Sequence, residues 1–312
     1  MADKLSPTMT VQEFANGYWY LDELKKFARL VRDADAVITG SYVPEGILAG
    51  DWITATAKGI SAFYDIDTPV TLRTMQRREC EYLNRKLLRK FDVYFSFTGG
   101  PVLDQLRELG AARPVALYCS VDPEFHAPLD VPKEWMLGYL GTYAADRQPA
   151  LEAMLFEVAE EMPERKFAVA GPQYPDTTTW PENVEHIPHL SPDDHPAFYC
   201  AQHFTLNLTR GDMRALGYSP SVRLFEAAAC GVPIISDRWP GLDTVFAPDR
   251  EILLADSAAE VMRHLRTVRA PQRDSVAAAA RARVLMSHTA DHRAAELELA
   301  LQSAARRMAR TA

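Results

Sequence analysis

The sequence predicts an α/β protein made of two Rossmann-like, doubly wound domains facing a cleft, and three observations carry that expectation. Apolar, β-rich runs alternate with helix-length segments. The alternation stops in a proline-rich stretch and then restarts. Residues 219–237 read as a short helix, a glycine stop and a buried strand. Strands separated by helix-length segments imply parallel pairing with right-handed crossovers. At 312 residues the chain is long enough for two domains, each with its own core.

Residues 1–30 are expected to form a helical N-terminal segment. Thr10-Val11-Gln12-Glu13 has the spacing of a capping box, and Tyr18–Val31 is an aromatic-rich helical stretch. No apolar opening strand is visible, so the first α/β domain, 31–125, is expected to be incomplete. Its strands are Ala36–Gly40, Ile60–Asp65, Val93–Phe97 and Pro114–Ser120, with helical spacing at Leu83–Lys90 and Val102–Leu109. Pro123, Pro128 and Pro132 then mark a polar boundary at Asp122–Lys133. The second domain, 133–275, offers strands at Met136–Leu140, Lys166–Ala170, Val184–Ile187, Phe204–Leu208, Pro233–Ser236 and a short Ile252–Leu254. Helices are expected at Arg147–Glu161, around His195–Cys200, at Val222–Cys230 and at Ala258–Arg269. Val276–Arg306 reads as one more helix, and residues 276–312 are expected to pack back across the domains.

Composition narrows the function. Hydrophobic residues at 47% and charged residues at 24% are ordinary for a globular protein, and a net charge of −8 argues against a general nucleic-acid binder. Cys80, Cys119, Cys200 and Cys230 lie far apart with no C-x-x-C, which fits reduced thiols in a cytoplasm better than a disulfide frame or a zinc site. No apolar run approaches ~20 residues, and the N-terminus has no apolar core of a signal peptide. The expected location is cytoplasmic, with peripheral membrane contact if the acceptor is a lipid.

The chemistry concentrates in residues 219–237. Ser221 fits an N-cap, Gly231 fits the left-handed position after a helix, and Pro233 blocks continuation. A helix start offers free N–H groups and the positive end of the dipole to a phosphate. Glu226, further along the same helix, can reach the hydroxyls of an attached ribose. Phosphate at the cap and ribose at the carboxylate together suggest a nucleotide-sugar site. Ligands of such sheets sit beyond the carboxyl ends of the strands. In the first half those places hold Tyr42, Asp65 to Thr68, and Thr98 to Gly100; in the second they hold Gly141 to Tyr143, Gly171 to Tyr174, Pro188-His189, Thr209-Arg210 and Asp237 to Trp239.

The phrase R-L-F-E-A-A-A-C-G-V-P-I-I-S-D (223–237) resembles the donor-binding segment of group-one GT-B glycosyltransferases. F-Y-D-I-D-T-P-V-T-L (63–72), F-T-G-G-P (97–101), S-V-D-P-E-F-H (120–126), L-G-T-Y-A-A-D-R-Q (140–148) and H-T-A-D-H-R-A-A-E-L-E (288–298) make the CgeB-like, spore-maturation branch the nearer match. The resemblance covers roughly residues 31–300 and implies a metal-independent glycosyltransferase, with no cofactor and a nucleotide-diphosphate sugar, by family habit a UDP-sugar, as donor. The acceptor is left open among saccharide, lipid-linked, protein and small-molecule classes. Glu226 would bind the donor ribose. Ser221, Val222 and Arg223 would meet the diphosphate, with Arg223 alternatively turned to solvent. Arg210 would serve a phosphate or a structural ion pair, and Arg147, after the Gly141-Thr142 turn, an anion or Asp146. The loops bearing Gln173, Tyr174 and His189 would hold the base. In many retaining relatives a glutamate stands eight residues before the ribose-binding one, and here that place is Tyr218.

On the acceptor side the expectation names Tyr42, Thr68, Gly99 and Gly100. Asp65 and Asp67 are the catalytic candidates, as a general base or instead as a cap for the helix opening at Thr68-Pro69. D-x-D also holds divalent metals in another architecture, but its place away from the donor segment disfavours that, and no metal site is expected. Asp122 to His126 resembles an interdomain hinge phrase. His288, Asp291 and His292 have mixed spacing that favours capping and surface contacts over metal. The rival function is a catalytically degenerate, glycosyltransferase-like nucleotide-binding or scaffold protein, which the shortened first domain would favour; a hydrolase or epimerase on the same fold stands third.

Overall fold

The computed structural model describes residues 17–311 and divides into two compact units. The first holds the chain to Phe97, then Pro101–Ala116 and Glu298 onward; the second holds Thr98–Gly100 and Leu117–Leu297. The division after Ala116 falls earlier than the proline-rich boundary, and the terminal helix enters the first unit at Glu298. The expected capping box at 10–13 lies outside the described residues.

The first unit carries a parallel sheet of four strands, β1 (Ala36–Gly40), β2 (Ile60–Asp65), β3 (Val93–Ser96) and β4 (Pro114–Ala116), in the order β1-β2-β3-β4. The register pairs Ala36 with Ile60, Ala62 with Val93 and Tyr94 with Pro114. Among the described residues no strand precedes β1. The helical stretch expected at Tyr18–Val31 is two helices, Gly17–Lys26 and Ala28–Asp33. Phe63, Phe91, Tyr94 and Phe95 are fully buried around the central strands. Gly46–Thr56 and Thr68–Arg77 are further helices between the strands.

The second unit carries six parallel strands: β5 (Trp135–Leu140), β6 (Phe167–Ala170), β7 (Val184–Ile187), β8 (Gln202–Asn207), β9 (Ile234–Ser236) and β10 (Leu253–Leu254). Their order is β10-β9-β8-β5-β6-β7, the doubly wound Rossmann arrangement. Both faces of the sheet are covered. Ala168 and Ala170 face one apolar cluster with Leu224, Phe225 and Ala228, while Phe167 and Val169 face another with Leu155, Phe204 and Leu206. Strand order reverses between β5 and β8, so the carboxyl ends of these two strands open the crevice where such sheets bind ligands.

The helix expected over 147–161 is continuous but changes to a π turn at Glu152–Phe156. The single helix expected over 276–306 is instead two, Ala270–Ser287 and Ala290–Thr311. The break follows from pairing: Val121 donates its N–H to His288 O at 3.2 Å and accepts from Ala290 N at 3.0 Å, which pulls residues 288–290 out of helical bonding.

Candidate functional site

The helix Val222–Ala229 points its first turn at the crevice between β5 and β8. Ser221 holds the N-cap position, yet its hydroxyl turns to Asn207 Oδ1 at 2.7 Å and not to a helix N–H. Leu224 N donates to Ser221 O at 3.1 Å, so the N–H groups of Val222 and Arg223 are the ones left to a ligand or solvent. Arg223 is 7% exposed, which decides against its solvent-facing alternative. Its Nε donates to Leu140 O at the end of β5, and Nη1 donates to Asn207 Oδ1 at 3.1 Å, at the end of β8. The guanidinium lies 4.8 Å from the centroid of the Tyr139 ring. All of these partners are neutral, so the positive charge is held in place but not cancelled.

Arg147 adds a second charge. Its Nη2 donates to Thr142 O at 2.6 Å, while Asp146 turns Oδ2 to Gly211 N at 2.8 Å. Burial lowers the Arg147 pKa first, and Arg223 lowers it further by like-charge repulsion, with Tyr139, Tyr174 and Asp146 acting the other way. Two guanidiniums beside a helix N-terminus, repelling one another and lacking a shared carboxylate, make a place where a dianion relieves the repulsion.

One turn beyond Arg223, Glu226 completes the site. The fully buried Tyr199 hydroxyl donates to its Oε2 at 2.9 Å. Burial and the neighbouring Glu226 charge raise the Tyr199 pKa well above the usual phenol range, which keeps that hydroxyl a donor. His126 brings Nε2 to 3.8 Å from Glu226 Oε1. Burial lowers the His126 pKa, outweighing the pull of Glu226. Leu140, Gly141, Thr142, Arg147, Gly171, Pro172, Leu190, His195, Tyr199, Val222, Arg223 and Glu226 line one cavity of about 330 Å³.

The remaining expected donor residues divide. Tyr174 donates its hydroxyl to Gly141 O at 3.2 Å and packs near Tyr143 and Trp180, so it braces the Gly141 and Gly171 loops from behind. Gln173, at a positive φ of 70°, and His189 are exposed and do not line the cavity. Arg210 holds the N-cap position of the helix Gly211–Leu216, half-buried at the end of β8.

In the first unit Asp65 is 0% exposed and already accepts three bonds: from Tyr94 OH at 2.5 Å, Thr71 Oγ1 at 2.9 Å and Asp67 N at 3.1 Å. Burial raises its pKa against those bonds. This carboxylate ties β2 to β3 and to the helix Thr68–Arg77, and its three internal bonds commit it to the fold. Asp67 occupies the N-cap position of that helix without a side-chain cap bond and accepts from Tyr42 OH at 2.8 Å. Thr68, fully buried, shares a 2.7 Å hydroxyl bond with Ser96, an internal contact.

Gly99 and Gly100 belong to the second unit and not to the acceptor-side domain to which the sequence assigned them. Gly99 N donates to Tyr218 O at 2.9 Å. Tyr218 has a positive φ of 49°, and its ring lies between two glycines: a Cβ on Gly100 or on Gly241 would sit 2.4 or 2.3 Å from ring carbons. At φ of 59° and 87° both glycines also hold conformations that side chains disfavour. These glycines form the two walls that hold the Tyr218 ring.

Sequence reasoning missed His195, Tyr199 and Asn207, and placed His126 only within a hinge phrase. Asn207 carried a signal: a polar residue closing an otherwise apolar strand at the crevice needs a partner there.

Residues 147–298 match the family model described as glycosyl transferase-like. No curated protein matches the chain. Among solved structures it is similar to a sucrose-phosphate synthase from Thermosynechococcus elongatus at 13% identity and TM-score 0.68, over 97% of this chain and 81% of that one. It is also similar to HepE of Anabaena, solved in complex with UDP-glucose, at 12% identity and TM-score 0.67, over 93% and 83% of the two chains. A UDP-forming alpha,alpha-trehalose-phosphate synthase from Burkholderia xenovorans matches at 13% identity and TM-score 0.66, over 95% and 79%. The fold is that of the GT-B glycosyltransferases. Among the described residues no helix is long and apolar enough to cross a membrane.

Proposed function

We propose that the protein binds a nucleoside-diphosphate sugar, UDP-sugar by preference, in the cavity of its second unit and transfers the sugar to an acceptor without a resident metal. One observation carries the reading: Arg147 and Arg223, hydrogen-bonded to neutral partners, flank the open N-terminus of the helix Val222–Ala229, with Glu226 one turn deeper. One helical turn is about 5 Å of rise, the scale that separates a diphosphate from the hydroxyls of its ribose. The arginines and the helix N–H groups stabilise the charge that grows on the departing diphosphate, the main electrostatic task in such a transfer. Asp67 is the carboxylate assigned to take up the acceptor proton, since Asp65 is saturated by internal bonds. The UDP preference draws on HepE, solved with UDP-glucose. The CgeB-like assignment draws on the phrases quoted above, and a cytoplasmic location on four free thiols.

Tyr218 favours a second reading, a nucleotide-sugar-binding protein without turnover, because its ring is wedged between Gly100 and Gly241 where many relatives place a sugar-facing acid. Calorimetry with UDP, GDP and dTDP, followed by donor turnover with and without saccharide acceptors, separates the readings. Binding of UDP with acceptor-dependent release of UDP from a UDP-sugar supports transfer. Binding with no turnover of any donor supports the second reading, and failure of all three nucleotides to bind overturns both.

A further inference from the structure

The ribose end of the cavity holds a side-chain group with chemistry that ribose binding does not require. His126, His195 and Glu226 each bring one potential ligand atom to within 4.8 Å of the others. They come from separate elements: the loop after Asp122, the first residue of the helix His195–Cys200, and the middle of the helix Val222–Ala229. His126 is 9% exposed, and neither of its ring nitrogens has a hydrogen-bond partner. The 3.8 Å approach of its Nε2 to Glu226 Oε1 is too long for a hydrogen bond. A buried imidazole with no hydrogen-bond partner is an exception that calls for an explanation, and a bound ion is one. Glu226 is prepared in a complementary way, because the Tyr199 hydroxyl holds Oε2 and orients Oε1 toward His126. Ligating carboxylates are commonly fixed by such an outer hydrogen bond.

From this geometry we infer that His126, His195 and Glu226 form a site for a transition-metal dication, zinc by the chemistry of the donor set, and that the bound ion closes the ribose end of the cavity. Two imidazoles and one carboxylate with an open fourth position are a donor set zinc accepts, whereas magnesium and calcium favour oxygen ligands. Zinc bonds of about 2.0–2.2 Å place tetrahedral ligand atoms roughly 3.4 Å apart, so the trio must contract onto the ion. His195, partly exposed at the cavity wall, is less enclosed than the buried His126. The inhibitory half of the inference rests on the donor reading: one carboxylate cannot hold ribose hydroxyls and a metal together, so zinc and nucleotide exclude each other. The ion is a blocker here and takes no part in transfer.

The test uses the full chain, stripped of metal with a chelator and then freed of the chelator. Zn²⁺ is titrated calorimetrically into the native protein and into His126→Ala and His195→Ala, with circular dichroism confirming the fold of each. Zinc affinity is expected to fall at least 10-fold in both variants, the lower end of what loss of even an outer-shell partner does. His195→Ala keeps the test decisive if the buried His126 proves necessary for folding. UDP affinity is then measured with and without Zn²⁺. Zinc is expected to weaken UDP at least 10-fold in the native protein and to leave unchanged whatever UDP affinity His195→Ala retains, while Mg²⁺ does neither. Zinc affinity equal in native protein and variants overturns the site, because binding then belongs to the thiols or other surface groups. Equal competition by Mg²⁺, or zinc that tightens UDP, overturns the blocking role. If UDP fails to bind the metal-free protein, the donor reading falls alone, and the zinc titrations still decide the site.

Discussion

Removing Glu226 should damage stability and nucleotide binding through two separable routes. In Glu226→Ala the Tyr199 hydroxyl loses its partner at 2.9 Å while staying fully buried. An unsatisfied buried hydroxyl costs about 1–3 kcal/mol, and a water entering the vacated space moves the value toward the lower end. On the proposed donor reading the same change also removes the acceptor for the ribose hydroxyls, which should weaken UDP by about 1–3 kcal/mol, roughly 5–150-fold. Adding Tyr199→Phe removes the orphaned hydroxyl. The double variant should recover most of the stability in urea unfolding and none of the UDP affinity in calorimetry. The reasoning fails in either of two ways. Recovery of both quantities in the double variant would make the binding loss a by-product of a loosened fold. Full UDP affinity in a folded Glu226→Ala would remove the carboxylate from the site.

Arg223→Met should weaken UDP about 10–100-fold, the scale of charged hydrogen bonds lost from a buried site, with Arg223→Lys recovering only part because a point charge cannot copy the planar fork; calorimetry at two salt concentrations measures it. Gly241→Ala should destabilise by roughly 2–4 kcal/mol in urea, combining strain at a φ of 87° with a Cβ placed 2.3 Å from the Tyr218 ring. The same substitution in a Tyr218→Ala background should cost about 1–2 kcal/mol less, because only the strain remains. Burial, with help from Arg293 and Arg283, lowers the His288 pKa from 6.5 to about 4. Its neutral form is therefore favoured in the folded chain, and the stability it contributes, complete above pH 6.5, is lost as pH falls toward 4. After discounting for partial exposure the loss is about 1–2 kcal/mol, and His288→Gln should flatten that acid-side slope in unfolding at pH 7 and pH 5.

The helix Val222–Ala229 and the end it turns to the crevice were legible because their signals are local. Ser221, Arg223, Glu226, Gly231 and Pro233 lie within one helix–strand unit whose turn chemistry fixes which end faces the crevice. The strands were legible for the same reason, each being a short apolar run between polar loops. The helix Gly46–Thr56 was not, since Gly46, Gly50, Thr54 and Thr56 lower helix propensity and its residues gain helical order from packing. The break at His288 was invisible because it depends on Val121, more than 160 positions earlier in the chain. His126, His195 and Tyr199 escaped for a like cause: nothing in a single segment says that the loop after Asp122 and the helix His195–Cys200 converge on one carboxylate of a third element. Asp65 shows the opposite error. D-x-D at a strand end looked exposed to a ligand, yet three donors from β3, the next helix and its opening turn had already claimed the carboxylate.

The bonds already made by the candidate acids bear on stereochemistry. Tyr218 stands where the sequence resemblance implies a glutamate in retaining enzymes, and its ring is fixed between Gly100 and Gly241 with its backbone N–H bonded to Pro240 O at 2.6 Å. Asp65 is saturated and buried. We propose that the transfer uses a single base on the acceptor hydroxyl, a route that inverts the sugar carbon. Asp67 is the base so assigned, with the Tyr42 hydroxyl bonded to one of its oxygens at 2.8 Å. Asp67→Asn should lower turnover by about 10²–10⁴-fold, the usual contribution of a general base, while UDP affinity, set in the second unit, stays within about twofold. Product analysed by proton NMR should have the anomeric configuration opposite to the donor's. Retained configuration, or an Asp67→Asn protein that turns over at the native rate, would refute the assignment and require a sugar-facing group other than those named here.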